Sequence, residues 1–201
     1  MTLYVDRAVW PWRDRLWAHL VSDSGPDELH RAANAVGKPR VSFQGDHYDL
    51  HEEQRARALD LGAVAVDSRE IVRVLRRTGQ RLPPSRRRFD WRWTHDDPRV
   101  YDLGEAPDSL TGSVPGWLVN MVRRALRAGF GTGARMSLAV VSNTTSSVTL
   151  VRGAIPSGGP GPAQRVLEIV GPPLSEAWAT LTDEGPLLEL LVNRPVPGAR
   201  P

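Results

Sequence analysis

Three helix-length segments within residues 1–80 each end on a glycine, at Gly37, Gly62 and Gly79, and short apolar runs separate them. Glycine enters the left-handed conformation that closes a helix without steric penalty, so these positions divide the chain into strand-sized and helix-sized pieces. Thr2–Val5 and Leu16–Val21 read as strands from their β-branched and aromatic content, with Trp10-Pro11-Trp12 between them as a turn or an edge crossing. Ser22 to Pro26 supplies turn and capping chemistry ahead of a helix whose Leu29, Ala32, Ala33 and Val36 share one face. Val41–Gln44 reads as a strand, Gly45 to Tyr48 as a loop, and Asp49 with Glu52 as the capping box of a second helix. Ala63–Val66 is the next strand. Asp67 with Glu70 repeats the capping-box spacing before a third helix carrying Ile71, Val74 and Leu75. The order β-β-α-β-α-β-α predicts a small α/β layer domain over residues 1–80.

Past that point the periodicity stops. Pro83-Pro84, Arg86-Arg87-Arg88, Trp91-Arg92-Trp93 and Asp96-Asp97-Pro98 follow one another over a stretch longer than an ordinary connection, which predicts a basic Trp/Arg-rich linker or arm over 81–108. Residues 109–201 read as an α+β domain. Trp117, Met121 and Ala125 form the apolar stripe of a helix whose other side carries Arg123, Arg124 and Arg127. A hairpin of Arg135–Val141 and Ser147–Ile155 follows, then a strand at Val166–Val170, a helix around Ser175–Leu181 and an apolar run at Leu187–Val192.

The first eighty residues resemble the short bacterial and phage domains grouped as domain-of-unknown-function family 4031. The resemblance rests on Tyr4-Val5-Asp6, Arg13, Ala18-His19-Leu20, Asp23, Glu28-Leu29, Phe43-Gln44, His47-Tyr48-Asp49-Leu50, Arg55 and Gly62-Ala63-Val64, which follow the family order. Ala18 and Gln54 depart from it, standing where the family leads one to expect cysteine and lysine. The resemblance implies a fold and a choice of residues, and it implies no reaction.

Composition removes several chemistries. The chain has no cysteine, which excludes a disulfide scaffold, a thiolate nucleophile and any Cys-ligated zinc or iron–sulfur site, and fits a reducing compartment. No apolar stretch has the length of a signal peptide or a membrane span, so a cytoplasmic location without a membrane partner is expected. The net charge of +3 is carried almost wholly by arginine, Lys38 being the single lysine. Because GC-rich codons produce the same bias, charge alone is a poor argument for nucleic-acid binding. Phosphate-loop, dinucleotide-binding, nucleophile-elbow and zincin motifs are all missing.

All five histidines lie at or before His95. In an extended segment His47, Asp49 and His51 would share a face as N/O metal ligands, whereas in a helix start Asp49 would be spent on capping. His19, near the end of its strand, is either a satisfied structural residue or an acid–base group, and Asp6 follows the first strand, where α/β folds gather ligands. His19, His47 and Asp49 are therefore the catalytic candidates. Asp6, His47 and Asp49 are the candidate set for a divalent metal, and Arg13, Gln44 and Arg55 are candidates for holding substrate. The expected activity is hydrolase-like or ligand-binding, on a phosphate-bearing or anionic small molecule. The alternative is a noncatalytic module that binds nucleic acid or protein through Arg86, Arg87, Arg88, Trp91, Arg92 and Trp93, together with the Arg123/Arg127 face.

Overall fold

The computed structural model describes residues 1–81 and 83, the stretches 92–102, 135–142, 146–153 and 174–193, and the single positions Asn120, Gln164 and Glu168. The chain divides into two compact units, Met1–Phe89 and Asp90–Pro201. In the first, β1 (Leu3–Val5), β2 (Trp10–Trp12) and β3 (Arg15–Ser22) precede α1 (Pro26–Ala35), β4 (Tyr48–His51), α2 (Glu52–Asp60), β5 (Val64–Ala65) and α3 (Ser68–Arg77). This is the mixed α/β architecture expected, with one strand more.

β3 organises the sheet, because both its edges are occupied. β1 and β2 pair successively along one edge, Val5 with Leu20 and Trp10 with Trp17, while β4 lies antiparallel on the other, His51 with Trp17 and Tyr48 with Leu20. β5 adds in parallel to β1. Since successive strand residues point to opposite faces, each strand contributes to two layers. Val5, Ala18, Leu20, Tyr48 and Leu50 face α1 and α2, where Leu29, Ala33 and Ala58 complete the main core. On the other face Val21, beside Tyr4, packs against Ile71, Val74 and Leu75 of α3.

The C-terminal ends of all three helices follow the sequence, whereas of the two expected capping boxes only that of α3 forms. Asp67 accepts a hydrogen bond from the Glu70 backbone at 2.8 Å, as its capping box predicts. Gly37, Gly62 and Gly79 all have positive φ. The capping box expected at Asp49 does not form: residues 48–51 are strand, and α2 is preceded by His51, whose side chain makes no cap. Pairing of Tyr48 and Leu50 into the main core outweighs a cap interaction of about 1 kcal/mol. Correspondingly, Val41–Gln44 is not a strand. Arg40–Ser42 form a 3-10 turn after Pro39, and the edge of β3 open to them is taken by β4. Trp10-Pro11-Trp12 is a true edge strand, joined to β3 by a two-residue turn in which Arg13 and Asp14 both have positive φ.

The second unit contains a five-stranded antiparallel sheet of β6 (Arg92–Asp102), β7 (Arg135–Ser142), β8 (Ser146–Gly153), β9 (Leu174–Thr182) and β10 (Gly185–Asn193), in the order β6-β7-β8-β10-β9. The stretch read as an arm thus supplies a strand. Its register against β7 shifts between Trp93 and His95 and again between Asp97 and Tyr101, and these irregularities break the two-residue period by which a strand is recognised. Ser175–Leu181 is strand instead of helix: residues 174–182 pair with β10 across a two-residue turn closed by Gly185 at φ +102°. Pairing with the apolar β10 overrides the helix propensity of that segment. Glu168, inside the run read as a strand, is helical, and Gln164 donates to its carboxylate one turn earlier. Of the helix expected over Trp117–Arg127, including the Arg123/Arg127 face, only Asn120 is described, and it is helical. Arg86, Arg87, Arg88 and Trp91 lie outside the described residues, and Arg92 and Trp93 enter the description only as backbone of β6. Among the described residues, no helix is long and apolar enough to cross a membrane.

Candidate metal centre

α3 covers the apolar end of its side of the sheet, over Tyr4 and Val21, and leaves the other end open. On that open end three polar residues stand in a row across neighbouring strands. His19 is the register partner of Asp49, and on its other edge it is bracketed by Asp6, whose backbone donates to the His19 carbonyl at 3.2 Å. Asp6 returns the contact: one carboxylate oxygen accepts the His19 backbone N–H at 2.6 Å, and the other lies 2.9 Å from His19 Nδ1 while also accepting the Ser68 hydroxyl at 2.6 Å.

His47, just before β4, is held in the same manner. Its Nδ1 lies 2.5 Å from Asp46 Oδ1, and Arg81 donates to the second Asp46 oxygen at 3.2 Å. With both Nδ1 atoms turned toward buried carboxylates, the two Nε2 atoms face Asp49 Oδ1, at 3.9 Å from His19 and 3.4 Å from His47. The Gln44 side-chain amide donates to the other Asp49 oxygen. One donor atom from each of His19, His47 and Asp49 lies within 4.8 Å of the other two. Carboxylate-backed imidazoles that present Nε2 are the usual dress of metal-binding histidines, since the carboxylate fixes the tautomer and raises the basicity of the free nitrogen.

The arrangement sorts the candidates. His19, His47 and Asp49 converge, and Gln44 belongs with them. Asp6 is not placed to ligate beside His47 and Asp49; it is fully buried behind His19, with both oxygens already bonded. Arg55 stands behind it too, donating Nε to the Asp6 carbonyl. Arg13 sits at the hairpin tip, its guanidinium 4.4 Å from the Trp12 ring centroid, and does not line the open side of the site. His51 shares the face but not the cluster, its Nδ1 lying 2.6 Å from Glu53 and its ring against Trp17. Asp46 and Ser68 were not singled out from the sequence. An Asp preceding His47 was the available signal for the first, and Ser68 read only as a helix start.

The row opens into a cavity of about 710 Å³, lined by Trp10, His19, Gln44 and His47 on one side and by α3 residues, among them Ser68, Arg69, Arg73 and Arg76, on the other, with Arg81. Burial by itself raises the pKa of Asp6, but hydrogen bonds from His19 and Ser68 more than offset this and hold it below the ordinary carboxylate value. Asp49 is likewise held low, burial being outweighed by His47 and by the charges of His19 and Lys38. Burial lowers His47, yet its bonds to Asp46 and Asp49 leave its pKa above the usual imidazole value. The signs follow by linkage. The lowered carboxylates contribute stability above the unfolded carboxylate range and lose it as pH falls through their folded values. The raised His47 contributes fully below about pH 6.5 and loses its part as pH rises through its folded value. Urea midpoints of the full chain in EDTA are therefore expected to pass through a maximum between these limits. A His47→Asn variant should lack the alkaline decline; an unchanged decline would assign it elsewhere.

The residues of this row fall inside one family's bounds. Residues 3–78 match the model of DUF4031, a protein family of unknown function. The DUF4031 segment contains Asp6, His19, Gln44, Asp46, His47, Asp49 and Ser68, and ends before the second unit begins. Neither curated proteins nor solved structures gave a match to the chain.

Proposed function

We propose that the DUF4031 unit is a metal-dependent hydrolase acting on a phosphate-bearing substrate. The observation that carries this reading is the pair of carboxylate-backed imidazoles aimed with Asp49 at one point beside an arginine-lined cavity. Two nitrogens and one carboxylate suit zinc, iron(II) or manganese, and three protein ligands leave positions open for water and substrate. A divalent cation supplies a Lewis acid for the phosphoryl group and water activated near neutral pH. The protein's own part is to hold the imidazoles in one tautomer through Asp6 and Asp46, to fix Asp49 through Gln44, and to offset the substrate's negative charge with guanidinium groups from α3. The cytoplasmic setting expected from the sequence belongs to the same proposal.

The test is equilibrium dialysis of the full chain against zinc, manganese and iron(II), followed by hydrolysis of a chromogenic phosphodiester. One equivalent of metal per chain and turnover abolished by chelator are expected. A chain that takes up no metal from any of the three solutions would remove the proposal.

A further inference from the structure

Resting on that reading of the site, we infer that its substrate is single-stranded nucleic acid, with bases stacked on Trp10 and Trp12 and phosphates held by Arg69 and Arg76.

β2 places one large aromatic ring, Trp10, beside the metal-ligand cluster and a second, Trp12, one step further along the strand, against Trp17 and with Arg13 over the ring. Trp10 is paired with Trp17 and Trp12 with Arg15, so both tryptophans project from the face that carries His19 and Asp49. Trp10 is 50% and Trp12 57% exposed, although burying either ring would be strongly favourable. The Trp10 ring stands edge-on to His19, with centroids 5.8 Å apart, and it lines the cavity. Residues two apart on a strand are roughly 6.5 Å apart, so the two rings form a stepped surface leading away from His19. Such surfaces accept successive bases whatever their sequence, because every base has a π-face.

α3 supplies the complementary charge. Arg69, Arg73 and Arg76 are spaced i, i+4, i+7 and share one side of the helix; all three line the cavity, as do Ile71 and Leu75, which with Val74 also pack into the core. Arg73 pairs with Glu70 at 3.1 Å and Arg81 with Asp46 at 3.2 Å. Arg69 and Arg76 have no carboxylate partner among the described residues. They sit two helical turns apart, roughly 10 Å along the axis, a separation suited to more than one phosphate. Two guanidinium groups and two rings in series favour a strand over a mononucleotide, and stacking on the rings requires bases that are unpaired.

The test uses fluorescence anisotropy on the full chain with a labelled ten-nucleotide single strand, its duplex and a mononucleotide as competitors, in EDTA and again with metal. The single strand is expected to bind tightest. Trp10→Ala should weaken it by roughly 5- to 150-fold, the usual effect of removing one stacked base, and Trp10→Phe should retain most of the affinity. The Arg69→Ala/Arg76→Ala double variant should flatten the slope of log affinity against log salt by about 1.4, corresponding to two phosphate contacts on a single strand. Affinity and salt slope unchanged in both the Trp10→Ala and the double-arginine variants would overturn the inference, as would equal binding of duplex or mononucleotide. Failure of the hydrolase reading registers separately, as absence of metal uptake in dialysis, because the EDTA arm reads strand binding without the ion.

Discussion

Alanine at His47 is expected to leave the full chain without bound metal after dialysis, whereas Asp6→Asn is expected to retain the ion with roughly 10- to 100-fold weaker affinity. The two substitutions act at different removes. His47 contributes one of the three converging donor atoms, and two remaining ligands do not make a site for a divalent ion. Asp6 touches no shared point; it holds His19 from behind. Asparagine at this position fills the same space and can still accept the His19 backbone N–H. Its amide nitrogen, however, meets His19 Nδ1 as a donor. The imidazole proton is thereby driven to Nε2, the atom that must be bare to bind a cation. The measurements are metal affinity by competition with a chromogenic chelator and thermal melting of the metal-free variants. A merely structural role for Asp6 predicts a lowered melting temperature with unchanged metal affinity in the folded protein, and that pattern would refute the positioning role.

The second large effect is expected at Leu50, which is fully buried in β4 between Asp49 and His51. Leu50→Ala removes buried methyl groups and leaves a cavity between the sheet and α1/α2, at a cost of about 2–5 kcal/mol. For a unit of this size each kcal/mol lowers the melting temperature by roughly 4–8 °C, so a depression of about 8–40 °C is expected. At low temperature the fraction that remains folded should take up metal with ordinary affinity, because Asp49 faces the opposite side of the sheet. A change in metal affinity without a drop in melting temperature would mean that the two faces of β4 are not separable in this way.

Much of the first unit was legible because its signals are local. The Asp67–Glu70 cap joins residues three apart, and Gly37, Gly62 and Gly79 report directly on backbone conformation. The segment around Asp49 was ambiguous for the opposite reason: an aspartate three residues before a glutamate is a capping box, and an alternating His-Tyr-Asp-Leu run is a strand. Only the availability of the β3 edge decides between them. Convergence of His19, His47 and Asp49 was expected from residue type, but the place of Asp6 behind His19 was not, since which carboxylate joins the cluster and which backs an imidazole depends on the faces of β1 and β3. The arginines of α3 were invisible as a site because their stripe acquires meaning only from the cavity it borders. In the second unit, Leu174–Thr182 carries helix-forming residues, and its pairing with β10 is a tertiary fact.

The pairing of β3 along both edges has a consequence for how errors in assembly are expressed. Sliding β4 by a single residue would turn Tyr48 and Leu50 away from the main core and drive Asp49 into hydrocarbon, while separating it from His19. Misthreaded chains thus forfeit the core and the donor-atom cluster together. The domain cannot keep its full core through a slipped strand, and a chain whose core is complete carries its donor atoms already in line.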